Sequence, residues 1–195
     1  VTALLMGRIP EVGAVQIQER REEIPLTELF RVPNMWLILL YNFVIGLFFK
    51  GVELFFPSFL SAERGLSGQL AAISNSLVLF FGVMGQFVGG RAADKFGASR
   101  VVMVATAGVL SSMLFLLMTP IHIGGVALFI ALFGVSYFGH QPAMTSLMGA
   151  VSPRGLKGTA YGVMFFFTFG LGSLSTTLAG YFIEAFSLEA AFWVM

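Results

Sequence analysis

The chain has 195 residues, of which 57% are hydrophobic and only 11% charged, against about 25% charged in soluble domains. Its net charge of +1 and the lack of any basic run give nucleic acid nothing to bind, and with no cysteine there is no disulfide framework, thiol nucleophile or thiolate metal site. What remains is a chain for lipid: 23 glycines suit helices that approach closely without a hydrophobic force between them.

Residues 1–6 are apolar and give way abruptly to polar sequence, the pattern of a preceding helix ending in a linker. Residues 16–23 are polar and of mixed charge, as in a solvated tether, and 25–31 read as a short amphipathic piece lying on the membrane surface. No charged n-region, short apolar core and cleavage site mark a signal peptide. Five apolar stretches follow, at 35–60, 70–88, 101–118, 124–148 and 160–183. Each is near the roughly 20 residues that carry a helix across about 30 Å of hydrocarbon, and in lipid a spanning segment of this kind satisfies its backbone as a helix. The expected fold class is therefore an all-α, multi-pass membrane bundle. Residues 190–195 begin a further apolar span, so both ends are expected to be those of a fragment.

Alternate connections differ sharply in Lys and Arg. Residues 7–34, 89–100 and 152–158 hold Arg8, Arg20, Arg21, Arg31, Arg91, Lys95, Arg100, Arg154 and Lys157, whereas 61–68, 119–123 and 184–189 hold only Arg64. Such a bias places residues 1–34 in the cytoplasm.

A shift of 90 residues lays Arg64-Gly-Leu-Ser-Gly68 on Arg154-Gly-Leu-Lys-Gly158, Gly82 on Gly172, Gly90 on Gly180, Asp94 on Glu184 and Phe96 on Phe186. Repeats of about 35–118 and 124–195 follow, each of three helices. An odd number inverts the second copy, a feature of secondary transporters with substrate near the midplane.

Only two acidic or basic residues lie inside the spans, Lys50 and Glu53. An intramembrane charge is costly and marks a functional site, and the spacing of three lets the two pair. A purely structural ion pair is the competing reading. Asn42, Gly46, Phe49, Lys50, Glu53 and Pro57 fall on one helical face, with Leu40, Val44, Leu47 and Leu54 opposite. The repeat carries Lys50 onto His140, which is expected at the equivalent depth. Ser136, Tyr137, His140 and Met144 are expected on one face with Gln141 at its edge, and Pro142 is expected to kink or loosen the helix. Asn42, Lys50, Glu53, Ser136, Tyr137, His140 and Gln141 are the candidate substrate and proton pathway. The glycines and small polar residues of the fifth span read as packing. No nucleophile, metal cluster or acid–base set stands at a membrane face, so an enzyme is not expected and neither is a cofactor.

The loop Gly90-Arg-Ala-Ala-Asp94-Lys95-Phe-Gly97-Ala-Ser-Arg100 resembles the G-x-x-x-D-[RK]-x-G-[RK]-[RK] motif of the major facilitator superfamily. Gly90, Asp94, Lys95 and Gly97 match; Ala98 and Ser99 replace the basic pair, with Arg100 one place late. The degraded motif, the lead-in, and the absence of an Arg in the fourth span or a Gly-Pro in the fifth resemble the second half of that fold, helices 7 to 11 and the start of 12. The resemblance implies a half-domain at 35–195 preceded by a cytoplasmic linker at 1–34, with Lys50 and His140 on the two cavity-lining helices. It implies Asp94 at a cytoplasmic gate. It further implies a secondary active transporter in the cell membrane that moves a small solute by alternating access, coupled to protons and of the efflux type, with a first half of the same polypeptide as partner. A non-transporting sensor or assembly protein on the fold, and an uptake permease for a sugar or organic acid, stay open.

Overall fold

A computed structural model describes residues 25–118 and 123–195; the opening apolar segment and the polar tether lie outside them. A four-residue helix, α1 (Thr27–Phe30), leads into α2 (Pro33–Ala62), α3 (Gly68–Phe96), α4 (Ala98–Met118) and α5 (Ile123–Val151). Then come α6 (Lys157–Ala185) and the short α7 (Leu188–Val194). Among the described residues, α2 through α6 are the five helices long and apolar enough to cross a membrane. The helices outrun the apolar stretches by a few residues because helix persists until a stop signal, here Gly65, Gly97 and Gly155, all at positive φ. Pro33 starts α2, where its missing N–H costs nothing. Ser67 and Ser187 cap α3 and α7 by accepting from Leu70 and Ala190.

The helix starts at Pro33, Gly68 and Ala98 recur at Ile123, Lys157 and Leu188, offsets of 90, 89 and 90. Gly65 and Gly155, also 90 apart, both turn the chain with φ of +67° and +92°.

The loop expected at 89–100 is not what forms. The motif is not an extended loop: helix runs through Asp94 and Lys95 to Phe96, Gly97 alone breaks it, and α4 starts at Ala98. Likewise α5 continues through Pro142. Proline removes one donor and leaves the Phe138 carbonyl without its helical partner, while the turns on either side stay helical.

The irregular helix is α6. From Phe166 to Gly170 it is a π-helix, closed by the Leu171 N–H on the Phe166 carbonyl, and a 3₁₀ turn from Leu171 to Ser173 follows. α2 presses against this stretch. A Cβ on Gly172 would lie 2.9 Å from the Gly46 carbonyl carbon, and one on Gly46 would collide with Thr168. The expectation of packing holds for Gly172 but not for Gly162 and Gly180, which face open space.

Buried apolar side chains form two clusters. One gathers Leu29, Met35, Leu39, Met144, Met148 and Met164 toward the Lys/Arg-rich side. The other gathers Phe49, Phe56, Phe59, Phe129, Phe133, Tyr137 and Phe192 toward the opposite side. The buried Leu29 docks α1 into the first cluster, and the Trp36 indole donates to the Phe30 carbonyl at 2.9 Å.

Candidate functional site

Between the two clusters lies a polar layer, with one or two residues from each spanning helix. Asn42 comes from α2, Gln86 from α3, Thr106 from α4, His140 and Gln141 from α5, and Thr168 from α6. Its side chains bond across helices. Thr168 Oγ1 lies 3.1 Å from Asn42 Oδ1 and 2.9 Å from the Met164 carbonyl, so its one hydrogen serves two acceptors. The Asn42 amide donates to the Ile38 carbonyl at 2.8 Å. Gln86 Nε2 donates to Gln141 Oε1 at 3.2 Å, and the Tyr41 hydroxyl meets Thr106 Oγ1 at 2.8 Å.

His140 is 3% exposed and Asn42 4%. The imidazole stands edge-on to Tyr41 and Tyr137, and its Nδ1 is bonded to the Tyr137 carbonyl. A carbonyl only accepts, so Nδ1 carries the hydrogen; in the neutral ring Nε2 is then an acceptor. On one side the layer opens into a cavity of about 200 Å³, walled by Asn42, Gln86, His140, Gln141, Thr168 and Phe169 among others. Every polar group on its wall is neutral or, in His140, titratable; no carboxylate, Lys or Arg lines it.

Lys50 and Glu53 do pair, at 2.6 Å, with their side chains 29% and 31% exposed. They stand elsewhere, however. The ring contacts Tyr41–His140, Phe49–Tyr137 and Phe56–Phe129 run in opposite directions along α2 and α5, so the helices are antiparallel. The Phe49–Tyr137 and Phe56–Phe129 contacts set His140 opposite residues 45 and 46 of α2, four to five residues before Lys50, or ~6–8 Å at ~1.5 Å per residue, and its ring also reaches Tyr41. The antiparallel setting of the two helices explains the departure from the expected common depth. Equal distances from the start of two antiparallel helices fall on opposite sides of the midplane. Lys50 reaches toward the cavity only through Phe169, whose ring is 5.8 Å from its Nζ and which also lines the cavity.

Two other candidates change place. Ser136 does not share the His140 face: its Oγ packs over Gly108 of α4, and it lines a separate groove. Tyr137 is buried, stacked on Phe49 at 3.8 Å, and is absent from the cavity wall. The helical wheel assigned these neighbours one arc, but 100° between residues 136 and 137 is enough to send them to different helices. Conversely, sequence reasoning passed over Gln86 and Thr168. Each is the lone polar side chain of its surroundings, Gln86 within 77–90 and Thr168 within 163–171, and that isolation was the available signal. Of the motif residues, Asp94, Lys95, Gly97 and Arg100 are exposed, with Lys95 over the Phe96 ring at 5.1 Å, while half-buried Gly90 approaches Pro142.

The sequence matches the family model described as Major Facilitator Superfamily over residues 1–177. The chain belongs to this superfamily. Its members are membrane transporters, and five apolar helices with the polar layer between their apolar clusters are the corresponding part here. No curated protein matches the chain at the same stringency.

Proposed function

We propose that the chain is the second six-helix half of a secondary active transporter that moves a small solute by alternating access, coupled to protons, in the export direction. In this reading residues 1–34 are a cytoplasmic linker from a first half of the same polypeptide, and the whole lies in the cell membrane. The solute contacts Asn42, His140, Gln141 and Thr168 in the cavity. Lys50 and Glu53, one level out and screened by Phe169, form the ion pair that a coupling proton would break. The observation that carries the reading is the Asn42–Thr168 bond. It joins α2 to the π-helical stretch of α6 at the cavity wall, where a local change of helix type would move both wall and bond. The 90-residue recurrence of helix starts supports inverted repeats.

Full-length protein in liposomes, with a solute gradient and a pH gradient set independently, tests this. The expected result is flux that rises and falls with the proton gradient, weaker solute affinity in Thr168→Val and His140→Gln, and flux without proton dependence in Glu53→Gln. Flux indifferent to pH in the wild type would remove the coupling. Solute binding with no flux would favour a sensor, and accumulation inside the cell-oriented compartment an uptake permease.

A further inference from the structure

A second concavity has no part in that reading. A groove of about 480 Å³ runs between α3, α4 and α5, separate from the polar cavity. Gly85, Gly89 and Gly139 form its floor, and Val88, Phe96 and Val104, all exposed, form its rims. Its wall is almost wholly apolar, the exceptions being Ser136 and, at one end, Arg100. We infer that it binds an anionic phospholipid, with an acyl chain along the glycine floor and the phosphate at Arg100.

Three observations fix the occupant. The first is length. From Gly85 to Phe96 the α3 rim covers 12 residues, ~16 Å of helix rise, which is about half of a ~30 Å hydrocarbon core and thus one leaflet. The second is direction. Arg100 stands beside Gly97, the break on the Lys/Arg-rich side, where the charge distribution puts the cytoplasm and its acidic lipids. The third is charge. Among the described residues, the ion pairs are Glu28–Arg31 and Lys50–Glu53, so the Arg100 guanidinium has no carboxylate partner, and no acid lines the groove. Exposed Arg91 and Lys95 lie on the same turn-flanking stretch and add to the positive field. Basic pockets between membrane helices on this side suit acidic headgroups.

The test uses the full-length protein in a neutral detergent, incubated with phosphatidylglycerol or phosphatidylcholine of identical chains, washed, and weighed intact by native mass spectrometry. Phosphatidylglycerol should be retained in preference. Arg100→Gln should reduce its retention about fivefold while Arg100→Lys keeps most of it. Val104→Phe, which fills the groove and leaves the charge, should reduce retention of both lipids, and thermal melting confirms that each variant is folded. Equal retention of the two lipids overturns the proposal. So does an equal loss in Arg154→Gln, a basic residue on the same side and outside the groove, since that reports diffuse surface charge. Displacement of the lipid by millimolar glycerol phosphate would likewise overturn it, by showing a phosphate site with no role for the groove.

Discussion

Two of the glycine-mediated helix contacts in this bundle differ in kind. Where α3 crosses α5, Gly85 and Gly89 meet Val135 and Gly139: an added Cβ on Gly89 would lie 2.7 Å from Gly139 Cα. Both helices are regular there, and the contact carries no polar bond beyond Gln86–Gln141 at its margin. Where α2 crosses α6, Gly46 and Gly172 interleave just as tightly. There, however, α6 passes from α to π to 3₁₀ within residues 166–173, and a buried Thr–Asn bond spans the contact beside a cavity. Close backbone approach is common to both contacts; in the reading proposed above, the irregular hydrogen bonding and the polar link single out the α2–α6 contact as the one to move, because they offer an alternative arrangement of the same turn.

The largest expected effect tests the rigid contact. Gly89→Leu forces a side chain between two backbones and should destabilise by about 3 kcal/mol or more, beyond the usual range of overpacking. Thermal unfolding in detergent reads it. Gly46→Ala on α2 sets a Cβ against the Thr168 carbonyl oxygen about as closely as Gly89→Ala sets one against the Gly139 carbonyl oxygen, yet should cost less than Gly89→Ala if the π segment yields. Equal losses at the two sites would erase the distinction between the contacts.

Next is the ion pair, which stands on α2 against Phe169 of the irregular stretch. Removing one partner of a fully buried pair costs 3–5 kcal/mol, and exposure of nearly a third of each side chain brings Lys50→Ala down to about 1–2 kcal/mol. Lys50→Leu with Glu53→Leu should recover most of that stability but not transport. A double variant that recovers both makes the pair structural only.

A smaller effect is expected at Thr168. Thr168→Val and Asn42→Leu in a double-mutant cycle should show a coupling of ~0.6–1.7 kcal/mol, the range found between membrane helices. Coupling near zero would mean that Asn42 is content with the Ile38 carbonyl and that the bond to α6 is incidental.

How far each of these features was visible beforehand depends on what a wheel and a window can measure. Span number and the Lys50–Glu53 pair follow from hydropathy and from spacing along one helix, and both are properties of a single segment. The level of His140 is not, because depth relative to Tyr41 depends on how two antiparallel helices are set against each other. Ser136 and Tyr137 show the same limit in angle: a wheel ranks faces but does not say which neighbour each face meets. The π segment was invisible for a different reason. The Phe-Phe-Phe-Thr-Phe-Gly run carries no proline, whereas α5, which does, stays helical through Pro142. The π segment coincides with the close approach of Gly46 to Thr168, a contact between two helices that no window along one of them can register.

The smallest effect on the fold is expected at Asp94, which lies outside both contacts. It is exposed, in the last turn of α3, four residues before α4 begins at Ala98. Its carboxylate is disfavoured by the C-terminal end of its own helix and favoured by the N-terminal end of the next. Each effect is worth roughly 0.3–1 kcal/mol at the surface, and they oppose one another. Asp94→Asn should therefore leave stability within about 0.5 kcal/mol, as for most surface exchanges. If the residue is a gate, its effect must come from a helix end beyond the described residues, and it will register as a change of conformation without a change of stability. A single cysteine placed at Ser99, in a segment with no native cysteine, reads this by its labelling rate from the Lys/Arg-rich side. Faster labelling in Asp94→Asn with an unshifted melting curve separates a gate from a fold determinant. Unchanged labelling returns the movement entirely to the α2–α6 contact.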